Sequence, residues 1–67
     1  MLVDTFYKNT PEGEFKAEMY TDSNGYYIHF YGPNGNLIKK EEFRGKSRYY
    51  VEDAAVNWVQ GIKVLNG

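Results

Sequence analysis

Residues 25–38, GYYIHFYGPNGNLI, decide how the rest of the chain is read. Tyr26, Ile28 and Phe30 alternate with Tyr27, His29 and Tyr31, the period of a strand with two distinct faces. Aliphatic Ile28 marks the first set as the core side. The run stops at Gly32-Pro33-Asn34-Gly35-Asn36, where Pro33 presets φ and Gly35 accepts a left-handed backbone, so a hairpin into a further strand follows. That strand, Leu37 to Phe43, has an internal conflict. Ile38 and Phe43 have opposite parity and cannot share a core face on a regular strand, which predicts a bulge near Lys40 to Glu42.

Upstream, Glu14 to Tyr20 alternates in the same way, with Phe15, Ala17 and Met19 on one side and Lys16, Glu18 and Tyr20 on the other. Thr21-Asp22-Ser23-Asn24-Gly25 joins it to the tyrosine strand through an Asx-type turn. Residues 1–13 form an arm whose Leu2, Val3, Phe6 and Tyr7 can make a short strand or an apolar hook. Asn9-Thr10-Pro11-Glu12-Gly13 then breaks regular structure in a loose tip or turn.

Downstream the period becomes helical. Val51, Ala55, Trp58 or Val59, Ile62 and Leu65 fall three or four apart and make one apolar stripe. Ser47 is placed to cap the helix, and Glu52 and Asp53 fall in its expected first turns, where the dipole favours anions. Gly61 costs about 1 kcal/mol against alanine, so fraying is expected beyond it. The expected fold is α+β: a three-stranded antiparallel meander over 14–43, one helix over 47–65 packed on one face, and a 1–13 arm free to add a fourth edge strand.

Sixty-seven residues allow one domain (1–67) with a small core, and a chain of that size hides only about 60% of its unfolded surface. Absent cysteine and a single histidine leave neither disulfide nor zinc as a staple, which favours association with a second copy or another protein. No cysteine and no recognisable signal peptide point to the cytoplasm. No run nears the roughly 20 apolar residues that span a bilayer, so a membrane role is not expected.

Eight basic against nine acidic residues exclude both an acidic nucleic-acid mimic and a protein held to DNA by bulk charge. The one basic concentration, Lys39, Lys40, Arg44, Lys46 and Arg48, is interrupted by Glu41 and Glu42.

Little in the chain points to catalysis. His29 sits mid-strand among tyrosines with no acidic neighbour in sequence. Ser23 and Ser47 have structural reasons to stand at a turn and a cap. Asp22-x-Asn24-Gly25 starts like a calcium loop, but its glycine comes too early and no glutamate closes it. No phosphate-cradling glycine loop is present. Neither catalytic residue, cofactor nor metal is expected.

What asks for a reason is the face opposite the helix, where Tyr20, Tyr27, His29, Tyr31, Leu37 and Lys39 are expected together. Tyrosines on an open sheet serve strand propensity alone, or a self-association or protein-binding surface. The alternative is single-stranded nucleic acid, with bases stacked on the tyrosines and Lys16, Lys39 and Arg44 of the 39–48 region meeting phosphates. The leading expectation is a non-enzymatic protein-interaction module that forms a homodimer.

Asp22-Ser23-Asn24-Gly25, the strand Tyr26–Tyr31, Asn34-Gly35, Ile38 and Glu41 or Glu42 together resemble one repeat of the YegP-like family of small bacterial domains. About a third of the chain carries the likeness. It departs from the family in a longer link, Arg44 to Tyr50, and at Ala54-Ala55-Val56-Asn57-Trp58. The resemblance implies a three-stranded meander under one helix and no chemistry. Family members often hold two repeats, so it also implies that a single repeat can pair with itself. The same element order occurs in plant DNA-binding domains that read the major groove with arginines and tryptophans. Here the strands offer only Lys16, Lys39 and Lys40, so that likeness stops at topology.

Overall fold

A computed structural model describes residues 1–62. Four strands, β1 (Leu2–Thr10), β2 (Gly13–Asp22), β3 (Gly25–Tyr31) and β4 (Leu37–Phe43), precede a single helix, α1 (Arg48–Gln60). The strands form one antiparallel sheet in the order β1-β2-β3-β4, a meander with the helix laid across one face.

The N-terminal arm takes the strand rather than the hook, as the fourth, edge strand of the sheet. It pairs with β2 from Leu2↔Tyr20 to Thr10↔Gly13, with one bulge between Leu2 and Asp4. Of the loose tip or turn expected at 9–13, the structure has a turn, the tight hairpin between β1 and β2. The Thr10 hydroxyl accepts from the Glu12 N–H (3.2 Å) and donates to the Gly13 carbonyl (2.8 Å), which closes the turn around Pro11. The next hairpin uses a carboxylate in the same place: Asp22 accepts from the Asn24 N–H at 2.8 Å. The third turns as expected, with Gly35 donating to the Gly32 carbonyl (3.0 Å) at a φ of 78°.

The bulge on β4 is displaced from its expected place. Phe30 pairs with Lys39 and Tyr31 with Leu37, which leaves Ile38 as the extra residue, and Lys40 to Glu42 run regularly. Gly32 permits this arrangement, since a Cβ there would lie 3.4 Å from the Ile38 side chain and 3.2 Å from Asn36 Oδ1. The parity conflict between Ile38 and Phe43 is thus settled at Ile38, and Phe43 keeps the core face opposite Tyr26.

The helix starts one residue after Ser47, whose side chain accepts from the Tyr50 N–H at 3.2 Å. Only 44–47 link β4 to it, so the connection is shorter than the Arg44 to Tyr50 link expected. Tyr49 and Tyr50 lie inside its first turn, and no acidic residue does. Glu52 instead pairs with Arg48 one turn back at 2.7 Å, and Asp53 accepts from Asn57 at 3.2 Å. The helix ends at Gln60, capped by Gly61, whose N–H donates to the Asn57 carbonyl. From across the sheet Lys8 Nζ donates to the Ile62 carbonyl at 2.8 Å, a cation at the negative end of the helix. The expected stripe residue Leu65 lies outside the described residues.

The core is where alternation on the sheet meets the helical stripe. Ala17, Met19, Ile28, Phe30, Val51 and Ala55 are almost or wholly inaccessible, with Phe43 and Val59 close behind. Burying each large side chain of this set is worth roughly 1.5–3 kcal/mol. The helix leans on β2 first, then on β1 and β3. Ala17 on β2 and Ala55 on α1 are fully buried in the core between helix and sheet, while Trp58 packs on Phe30 (4.7 Å) and edge-on against Phe15 (6.2 Å). β4 lies at its margin, where Phe43 meets Tyr50 edge-on at 6.2 Å, and every other residue of the strand is exposed.

Gly13 joins the hairpin tips. Its φ is 135°, and a Cβ there would stand 2.7 Å from Pro33 Cβ and 2.9 Å from the Pro33 carbonyl oxygen. Gly13→Ala therefore combines backbone strain with a backbone clash and is expected to cost more than about 2 kcal/mol. Gly35→Ala, with open space at its Cβ, is expected to cost about 1 kcal/mol for its left-handed backbone alone. Urea unfolding midpoints of the two variants check the order.

Candidate interaction surface

Antiparallel partners share a sheet face. On the face away from the helix the registers align three rows: Tyr7, Lys16, Tyr31 and Leu37; Thr5, Glu18, His29 and Lys40; Leu2, Tyr20, Tyr27 and Glu42. Tyr20, Tyr27, His29, Tyr31 and Leu37 are therefore together, as expected. Lys39 is not with them. The bulge at Ile38 turns Lys39 to the helix side, where its Nζ lies 4.9 Å from the Phe30 ring centroid, and Lys40 takes its place beside His29.

The aromatic residues form a continuous strip. Tyr20 and Tyr27 stack at 5.1 Å and 8°, and His29 tilts against both at 4.9 and 5.3 Å. Tyr31 meets His29 edge-on at 6.4 Å and carries the Lys16 ammonium over its ring at 4.9 Å. Such pairs are worth about 0.5–1.5 kcal/mol beyond area burial, so the strip stabilises the sheet that presents it. Packed in this way, the four rings are half-buried. The more exposed tyrosines are Tyr7, Tyr49 and Tyr50, none of which the sequence assigns to a surface.

Glu18 anchors the strip. It accepts from the Tyr20 hydroxyl at 2.7 Å and pairs with Lys16 at 3.4 Å. Burial pushes its carboxyl up, but the Tyr20 bond and Lys16 outweigh that and hold it below its usual value. The bond to Glu18, then burial, pushes the Tyr20 phenol up to about 12. Burial and then the Glu18 charge raise Tyr31 as well. Alternation places Glu18 on this face in the sequence. What sequence alone lacks is the ring geometry that makes it the acceptor for the strip.

Beside the strip lies a shallow open depression of about 400 Å³, lined by Asp22, Tyr27, His29, Lys40 and Glu42. It is a surface with mixed charge at an aromatic wall. His29 has tyrosine rings as its aromatic neighbours, and among the described residues no cluster of three or more His, Asp or Glu side chains is set to hold a metal ion. Basic residues of the 39–48 region are dispersed. Arg44 pairs with Glu42 (3.5 Å), Arg48 with Glu52 (2.7 Å), and Lys46 lies over Tyr50. Among the described residues no helix is long and apolar enough to cross a membrane.

The chain matches no protein-family model, no curated protein and no solved structure.

The Glu18 to Tyr20 bond has a pH signature. A phenol whose folded value is raised contributes its stability in full below the ordinary value of 10.0, and loses it as pH rises towards about 12. The lowered Glu18 carboxyl contributes above its ordinary value of 4.5 and loses that as pH falls. Glu18→Gln is expected to return Tyr20 towards 10.0 and to remove the acidic limb. Ring carbon NMR shifts of Tyr20 followed through alkaline titration check it.

Proposed function

We propose that this chain is a small protein-interaction module without catalytic chemistry, working in the cytoplasm as a self-associating unit, with the open sheet face as its recognition surface. The observation that carries this is the ordered strip Tyr20, Tyr27, His29 and Tyr31, which no element covers among the described residues and which Lys16, Lys40 and Glu42 flank. Aromatic side chains already fixed by stacking lose little rotamer freedom on contact, and tyrosine offers both apolar area and a hydroxyl. The depression at Lys40 and Glu42 gives the strip a polar rim of both signs, the usual surround of a protein interface.

Protein is favoured over single-stranded nucleic acid by where the positive charge lies. Lys39 faces the helix side, Lys16 pairs with Glu18, and Arg44 pairs with Glu42, which leaves Lys40 as the cation on the face with no ion pair among the described residues. Phosphate binding draws its affinity from several such cations at once. The two-repeat habit of the YegP-like domains it resembles fits self-association.

A photo-crosslinking amino acid at position 27, introduced into the full chain in its cell of origin, tests the face. Crosslinks to a protein other than this chain are expected, reduced at least about tenfold by adding Tyr31→Ser, while the same reagent at position 56 on the helix gives a different pattern. Crosslinks to such a protein that survive Tyr31→Ser unchanged, or crosslinks that carry nucleic acid, would sink the proposal. Single-stranded oligonucleotides at low salt are expected to shift no amide signals of the strip.

A further inference from the structure

We infer that two copies of this chain join along β4, antiparallel about a two-fold axis at Glu41, so that their sheets become one eight-stranded sheet with a continuous aromatic face. This deepens the proposal above and rests on its self-associating part.

β4 is an edge strand, exposed at every residue but Phe43, and the helix packs mainly on the other three strands, meeting β4 through Tyr50 against Phe43. An edge of this kind presents a row of unpaired N–H and C=O groups, a template for another strand. The β1 edge is less available. It is bulged between Leu2 and Asp4, Asp4 accepts from the Thr5 N–H, and Lys8 is held by the last carbonyls of the helix.

The bulge on β4 also sets the register. It ends regular alternation at Ile38 and leaves Lys39 to Phe43 as the regular edge. A two-fold axis perpendicular to the sheet keeps each face on its own side, so paired residues must share parity. Antiparallel pairing that uses all of 39–43 is then centred on Glu41. Lys40 faces Glu42 of the second copy, twice, on the aromatic side. Lys39 faces Phe43 of the second copy, twice, on the helix side.

The charges fit this pairing. Among the described residues Lys40 and Glu41 make no ion pair within the chain, and Glu42 has only the exposed Arg44 at 3.5 Å. Each cross-copy Lys40 to Glu42 contact gives both a partner. The one repulsive contact is Glu41 against its own copy on the axis, with Lys39 of each chain diagonal to it and within reach of a long side chain. Across the seam the aromatic face then runs Tyr27, Glu42, Lys40 and His29, the last two from the second copy.

Sedimentation of the full chain, up to about 1 mM because a single edge contact is of the weak class, provides the test. The wild type is expected to show a reversible monomer to dimer equilibrium. Lys40→Glu and Glu42→Lys each weaken it by about tenfold or more, the two together restore it, and Glu41→Gln tightens it. All three positions are exposed, and restoration by the double exchange rules out damage to the fold. A dimer indifferent to these changes overturns pairing through β4 and leaves the interaction face standing. A chain that stays monomeric overturns both the inference and self-association, and the crosslink from position 27 then still decides the face. Tyr27→Ser with Tyr31→Ser is expected to keep the dimer.

Discussion

One thirteen-residue helix must bury a four-stranded sheet, and it cannot. A helix is about 10 Å across and strands lie about 4.8 Å apart, so a helix seated on β2 screens β1 and β3 and leaves the fourth strand outside. The distribution of side chains follows from this. Every strand under the helix contributes to the core, with Ala17 and Met19, Ile28 and Phe30 fully enclosed and Phe6 packed against them. β4 contributes Phe43 alone; its other positions, the exposed Leu37 and Ile38 and the charged Lys39, Lys40, Glu41 and Glu42, remain outside the core.

The uncovered face has to hold itself together, and aromatic residues do that work. Without a second layer, cross-strand pairs are the main source of side-chain stability on an open face. Tyr20 on β2 stacks with its direct partner Tyr27 on β3, and His29 sits against both. Glu18 adds direction by fixing the Tyr20 hydroxyl, and Lys16 is placed between that carboxylate and the Tyr31 ring. Sheet stability and the recognition role proposed for this face are therefore compatible. The stacking that stabilises β2 and β3 also preorganises the rings.

Where local chemistry and periodicity agree, the sequence is readable. The β2 and β3 strands, their Asx turn, the Pro33 and Gly35 turn and the Ser47 cap all lie within a residue or two of where alternation and side-chain acceptors place them. β1 is obscured because a bulge near Val3 breaks its period and because its core-side Lys8 serves the far end of the helix, a contact 54 residues away. The β4 bulge is detectable as a parity conflict, but alternation alone does not place it, and in the structure it falls at Ile38, beside Gly32. That displacement, from 40–42 to Ile38, changes which lysine belongs to the face. One residue of register exchanges Lys39 for Lys40, as the period of two requires.

The same slip explains why the two sheet edges differ. Had the extra residue fallen at 40–42, Lys39 would stand on the aromatic face and the regular edge would be broken in its middle, unable to pair over any useful length. With the extra residue at Ile38, the break moves to the mouth of the Gly32 turn, and the edge from Lys39 to Phe43 stays straight. At β1 the bulge and the Lys8 contact both act against strand addition, and Lys8 closes that side by tying β1 to the helix terminus. Edge protection in small sheets commonly rests on lysines, and β4 has two. Two glutamates follow them at once, which sets Lys40 and Glu42 two residues apart on one face and Lys39 and Glu41 on the other. A purely protective edge has no need of opposite charges at that spacing, whereas the pairing proposed above, centred on Glu41, uses it by setting each Lys40 against Glu42 of the second copy.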